Sequence, residues 1–416
     1  MSAADIGRRT FRSLRVRNFR LFFIGQLISQ IGTFLTQVAL TLLVLHLTDS
    51  GIAIGLLVAC QFGPMLVIGP YAGVVADRSD KRVLLLVTQT LQMCQSFVLA
   101  ALAFMDHAPL AAFYVTALAG GMLLAFDNPA RRSFVTEMVP QEQMQNAVTL
   151  NTALMTSSRI FGPALAGVLV VTAGYGWAFA IDGVTYLAVL AGLWMMRTNE
   201  LHSAPRSVRG RGQVREGMRY VRTVPDLFVP MVMVAIVGTL TFNFSVTLPL
   251  FVTRDLHGNN GTYTIVYSVL SLGAFGAALF AAQRKTVSVR HIVIAALGFG
   301  ISMLLFAAVP NLLFAFPVAL VVGFASVSFM TTATAIVQVR ADPTMRGRVM
   351  ALQAMVLIGS TPLGGPLLGW VCETLGTRAG LLLGAGAAFA AAAWGHAATH
   401  RRVPTAEPQH ATAASA

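Results

Sequence analysis

The chain has 416 residues, 56% of them apolar and 11% charged, with a formal net charge of +13. Soluble domains hold about 25% charged residues, so a water-soluble globular domain is excluded. The mean hydropathy of +0.71 agrees, and basic residues confined to short breaks between apolar runs set membrane topology and do not form a nucleic-acid surface.

Twelve apolar stretches follow one another, at 21–47, 51–75, 83–105, 109–127, 147–172, 177–196, 227–252, 262–283, 291–309, 312–338, 349–371 and 379–398. A hydrocarbon core about 30 Å thick needs roughly 20 residues of helix at 1.5 Å rise. Each stretch is therefore predicted to be one transmembrane helix, and they are called spans one to twelve. The fold class is all-α integral membrane, with twelve transmembrane helices in two pseudo-symmetric six-helix bundles. Only three charged residues lie inside the apolar windows: Asp127, Arg159 and Asp182. Three cysteines, Cys60, Cys94 and Cys372, have no metal-ligand spacing and imply neither a zinc site nor a disulfide framework.

Span one follows Arg8, Arg9, Arg12, Arg15, Arg17 and Arg20 and is read as an uncleaved span, not a signal peptide. Assigning connections to alternate sides puts 26 of the 29 basic residues on one face. Positive charge stays in the cytoplasm, so both termini are predicted to be cytoplasmic and the protein to lie in the cell inner (plasma) membrane. Span one also carries Gln26, Gln30, Thr33 and Gln37 at i, i+4, i+7 and i+11, a polar stripe on one face. Polar groups in hydrocarbon turn toward protein or water, and this stripe is read as lining a substrate cavity. A similar stripe in span three, Thr88, Gln92, Gln95 and Ser96, is read as a bond between helices. His46 is a boundary histidine at the outer end of span one.

Arg159 falls near the middle of span five, where an ion costs a few kcal/mol and needs a partner. Asp182 in span six is the first candidate for a proton-coupling carboxylate and Asp127 the second. An ion pair between Arg159 and Asp182 is one possible arrangement. Between spans six and seven lies the longest polar interval, 197–226, with seven arginines. Val214, Met218 and Val221 recur there at i, i+4 and i+7, the pattern of a helix on an anionic leaflet; a solvated basic linker is the alternative. The implied organisation is an N-terminal bundle (1–196), a basic cytoplasmic linker (197–226), a C-terminal bundle (227–398) and a disordered cytoplasmic tail (399–416).

Span seven repeats the polar pattern of span one with Thr239, Asn243 and Thr247, and span ten adds Ser328, Thr331, Thr332 and Thr334. Span five contains Gly162-Pro163 followed by Gly167, and span eleven contains Gly365-Pro366 followed by Gly369, six spans later. Small residues allow close helix approach, so these six are assigned to helix packing. Their recurrence marks parallel halves with a site between them near the midplane.

After span two the chain reads Gly73-Val74-Val75-Ala76-Asp77-Arg78-Ser79-Asp80-Lys81-Arg82. This resembles the Gly-x-x-x-Asp-Arg-x-Gly-Arg-Arg/Lys signature of the major facilitator superfamily, with Asp80 where that signature has glycine. After span eight, Gly276 through Arg284-Lys285 keeps the basic pair but has Phe280 in place of the acid. Asn128-Pro129-Ala130-Arg131-Arg132, Val139-Pro140, Asn146-Ala147 and Arg159-x-x-Gly162-Pro163 are similar to the branch of macrolide-efflux permeases and the enterobactin exporter. The resemblance implies that Gly73, Asp77, Arg78, Lys81 and Arg82 form a gating latch. In it Asp77 faces the start of span eleven near Gly347-Arg348, while Arg78 and Arg82 pair with Asp127 or Glu137. It also implies that spans one and seven line the path.

The function read from these features is secondary active transport by alternating access. The protein is read as a proton-coupled exporter of an amphipathic or lipophilic small molecule, acting as a monomer in the bilayer. No cofactor or metal is expected, and the proton is the coupling ion. Import or uniport of a metabolite by the same fold is the alternative. A sensor or an intramembrane enzyme is more distant, because His-Glu-x-x-His and Gly-x-Ser-x-Gly are missing and no large soluble domain is present. The chain also lacks the phosphate-binding Gly-x-x-x-x-Gly-Lys-Ser/Thr loop of an ATP-driven pump.

Overall fold

The computed structural model describes residues 11–202, 213–281, 288–342 and 345–400. Arg206, Arg209 and Arg211 of the linker, Arg284-Lys285 and the tail beyond His400 lie outside the described residues. Twelve helices are long and apolar enough to cross a membrane. They are Arg17–Thr48, Gly51–Arg78, Lys81–Phe104, Leu110–Glu137, Gln141–Thr172, Tyr175–Trp194, Pro225–Asp255, Asn260–Ala281, Val289–Ala307, Leu312–Arg340, Arg346–Thr374 and Thr377–Thr399.

Local chemistry sets several of the ends. Ser50 accepts from the Ala53 amide to start span two, and Asp80 accepts from the Val83 amide at 3.1 Å to start span three. Asp80 has an ordinary backbone, φ −63°, so the turn after span two does not need the glycine of the superfamily signature. Gly174 (φ +85°) and Gly376 (φ +92°) reverse the chain after spans five and eleven. Glycine adopts that left-handed region without a Cβ penalty, and the two turns occupy matching places in the two halves.

Two spans differ from their apolar windows. Span four continues as helix to Glu137, so Asn128–Arg132 are helical and not a connection. A hydropathy window measures the lipid-facing length, whereas backbone hydrogen bonding carries the helix past it. Span seven is interrupted: one helix ends at Leu240, the next begins at Phe244, and Phe251–Asp255 is a π-helical turn. Thr241 at the break donates to the Gly384 carbonyl of span twelve at 2.9 Å.

Within the first half, span one packs on five and six, span two on four, and span three on four and six. In the second half, span seven packs on eleven and twelve, span eight on ten, and span nine on ten and twelve. The halves meet chiefly through two pairs, span two with eleven and span five with eight. On the side away from the linker they share one apolar core, in which Ile54 and Leu57 join Leu250 and Phe251. Toward the linker, each half has its own cluster. One is built on Phe19, Phe134 and Leu193; the other places Val221 and Met218 of the linker helix, Gln213–Thr223, on Leu227, Val337 and Val349.

Candidate transport path and gates

Spans two and eleven cross through glycine. A Cβ on Gly55 would stand 2.6 Å from the Gly365 carbonyl oxygen and 2.7 Å from Pro366 Cα, closer than real Cβ atoms approach backbone. Gly51 and Gly369 abut each other's backbone in the same way, so each helix presents a Gly-x-x-x-Gly face to the other. Charges close the rim above this crossing. Arg254 donates to the Asp49 carbonyl oxygen, reaches the Asp49 carboxylate at 3.4 Å and lies 3.5 Å from Glu373. Glu373 in turn accepts from the Gly51 amide at 2.7 Å. Arg378, the other basic residue on this side, stays within its own half, on Asp255 at 3.1 Å and the Ala307 and Val309 carbonyls. Asp49, Arg254 and Glu373 stand at helix ends far apart in sequence, so no local pattern announces this rim.

The second seam joins span five to span eight. Gly162 packs against Phe34 and Ile31 of span one, and Gly167 against Thr264 of span eight. At 100° per residue Arg159 lies between those two glycines around the helix, and it is exposed while its neighbour Ser158 is fully buried. Its guanidinium sits 5.8 Å from the centroid of the Phe34 ring, a cation–π contact.

Asp182 and Asp127 lie inside the first half, away from Arg159. Asp182 accepts from Thr36 at 2.8 Å and Ser96 at 2.7 Å, with Thr185 at 3.5 Å, so three spans supply hydroxyls and none of these partners is a cation. Gly32 makes room for it: a Cβ there would be 2.5 Å from the Asp182 carboxylate. The anticipated pairing of Arg159 with Asp182 is therefore not formed. Asp127 is fully buried and paired with Arg131 one turn along the same helix, while Thr88 and Gln89 donate to its other oxygen at 3.0 and 2.7 Å. Arg131 went unrecognised because Asn128–Arg132 read as a connection.

The polar stripes turn inward. Gln26 and Gln30 are buried, and Thr33 meets the Tyr186 hydroxyl of span six at 3.3 Å. Ile24 and Ile28, on the opposite face of span one, are exposed. Gln37 is half-buried. In span seven, Asn243 and Thr247 are buried, Asn243 donates to the Thr239 carbonyl at 2.8 Å, and Gly364 of span eleven packs on both Thr239 and Asn243. In span three, Thr88 and Ser96 serve the two acids and Gln95 donates to the Thr116 carbonyl.

On the linker side, Lys81 pairs with Glu137 at 2.5 Å, and both side chains are largely buried. Arg82 donates to the Leu193 and Trp194 carbonyls at 2.8 and 3.3 Å. It thus caps span six and does not pair with Asp127 or Glu137. Arg78 and Gly73 are exposed and half-buried respectively, and Asp77 is half-buried at the end of span two. Arg348, at the start of span eleven, is held by Glu216 of the linker helix at 2.8 Å. Among the described residues no cluster of His, Cys, Asp or Glu has the makings of a metal site.

Two six-helix halves joined by glycine-lined seams have the architecture of a membrane transporter of the major facilitator type. The chain belongs to the transmembrane secretion effector family, whose model matches residues 8–415. It is 22% identical over 364 residues to the staphyloferrin A transporter of Staphylococcus aureus, covering 86% of this chain and 90% of that protein. Macrolide efflux protein A of Streptococcus pyogenes is 25% identical over 379 residues, 88% of this chain and 92% of that one. The fold matches a POT family transporter crystallised with 5-aminolevulinic acid, with TM-score 0.76 at 10% identity, covering 93% of this chain and 97% of that one. It also matches a bacterial homolog of the lysosomal transporter Spinster in an inward-facing conformation, with TM-score 0.72 at 14% identity, covering 92% and 97% of the two chains.

Proposed function

We propose that this protein is a proton-coupled exporter of amphipathic small molecules in the plasma membrane, with the linker and both termini cytoplasmic. The observation that carries this reading is the asymmetry of closure: the halves share a core and an ion-paired rim away from the linker, and have separate cores toward it. With the linker inside, that is an inward-open state, ready to load from the cytoplasm. Residues 1–196 and 227–398 act as the two rocking units, and Gly73, Asp77, Arg78, Lys81 and Arg82 form the latch that closes the linker side in the opposite state. Asp182 is the coupling carboxylate, because it is the fully enclosed acid whose partners are hydroxyls, a setting that accepts a proton without breaking an ion pair. Asp127 serves structure through Arg131. The names of macrolide efflux protein A and of a putative bacilysin exporter of Bacillus subtilis, 24% identical over 272 residues, favour the export direction.

The test is transport of a compound panel into inside-out vesicles bearing an imposed proton gradient, with and without an uncoupler. Uncoupler-sensitive accumulation is expected. Accumulation that ignores the uncoupler refutes proton coupling, and uptake confined to right-side-out vesicles refutes export.

A further inference from the structure

We infer that Arg159 is the receptor for an organic oxyanion, a carboxylate or its chemical equivalent, on the transported molecule. This rests on reading the space between the halves as the transport path, and it narrows the cargo to amphipathic anions.

Arg159 is midway along the helix Met144–Thr172, where a cation is expensive and must find a counter-charge or water. The two acids of the membrane interior are already committed. Asp127 belongs to Arg131, and Asp182 is enclosed by Thr36, Ser96 and Thr185. Among the described residues no carboxylate forms an ion pair with Arg159. Its direction around span five, between Gly162 on span one and Gly167 on span eight, points it at the line where the halves converge. It is exposed there, below the sealed end of the seam. Lipid does not explain this placement, because both flanking directions are occupied by protein.

The surroundings fit one kind of guest. The Phe34 ring centroid lies 5.8 Å from the guanidinium carbon, and among the described residues no carboxylate takes up its N–H groups. A guanidinium edge presents parallel donors that match a carboxylate in two hydrogen bonds. Phe34 then offers aromatic surface to the apolar body of the same molecule. A neutral lipophile would gain the aromatic contacts but leave the cation without a counter-charge. Excess affinity for the anion over an isosteric neutral compound is the consequence.

The test compares tritiated naphthoate with its uncharged amide, naphthamide, by scintillation proximity on the purified full chain in detergent. Wild type is expected to bind naphthoate about tenfold or more tightly than the amide, the worth of one charge-assisted pair. Arg159→Gln should remove that preference by weakening naphthoate binding to the level of the amide, and Arg159→Lys should retain part of it. A wild type without the preference overturns the inference whether or not the variants fold, and so does a preference that survives in Arg159→Gln. Vesicle sidedness and uncouplers do not enter this readout, so a failure of proton-coupled export would leave its outcome legible.

Discussion

The glycine crossing of spans two and eleven can be loosened by one methyl group. In Gly55→Ala the new Cβ would lie 2.6 Å from a carbonyl oxygen and 2.7 Å from a Cα of span eleven. Ordinary contact begins near 3.4 Å, and both obstacles are backbone, so the helices themselves must part by several tenths of an ångström. Forced overpacking of this kind costs about 1–3 kcal/mol. The cost falls only on the state in which the two helices touch, so it shifts the closed–open equilibrium of this end by roughly five- to a hundredfold. Val58, 1% exposed and packed on Gly365, reports the change. A single cysteine at Val58, with Cys60, Cys94 and Cys372 replaced by serine, would be labelled with a membrane-impermeant maleimide on intact cells. Labelling should be slow in the parent and several-fold faster with Gly55→Ala. Gly63→Ala is the control, since a Cβ there meets nothing within 4 Å. Equal rates in the parent and Gly55→Ala would refute the claim that backbone contact at this crossing holds the end shut.

Arg131→Ala should lower stability by about 3–5 kcal/mol, because it strands the buried Asp127 carboxylate; thermal unfolding in detergent reads the loss, and the double variant with Asp127→Leu should recover part of it. Asp182→Asn should leave the protein folded and able to exchange substrate down its gradient while abolishing accumulation against it, since an amide cannot carry the proton. Proton-driven accumulation by that variant in energised vesicles would remove Asp182 from the coupling step.

The helix pattern was legible because lipid demands long apolar helices, an effect that acts residue by residue along the chain. The site was less so, because partners are chosen in three dimensions. The span-one stripe marks a polar face, and such a face can meet a cavity or another helix. Gln26 and Gln30 are buried and Thr33 joins Tyr186 within the same half. Asn243 likewise sits against Gly364. The basic residues after span two were recognised as a group, yet Lys81 takes Glu137 while Arg82 caps span six. Their reach and direction follow from the extension of span four to Glu137, which hydropathy does not show. The rim of Asp49, Arg254 and Glu373 had no local pattern at all, only proximity created by the fold.

The sequence repeat acquires a mechanical meaning at the seams. Gly162-Pro163…Gly167 and Gly365-Pro366…Gly369 both fall on the spans that carry contact between halves. The two seams are built differently, however. Across spans two and eleven Gly55 and Gly51 meet the backbone at Gly365 and Gly369, so a side-chain rotation can absorb little of a displacement there. Across spans five and eight Gly167 meets Thr264, whose side chain can change rotamer. Arg159 lies two turns from that adaptable contact and touches Phe34 of span one. The contact of spans five and eight can therefore yield in small steps, whereas that of spans two and eleven sets backbone against backbone.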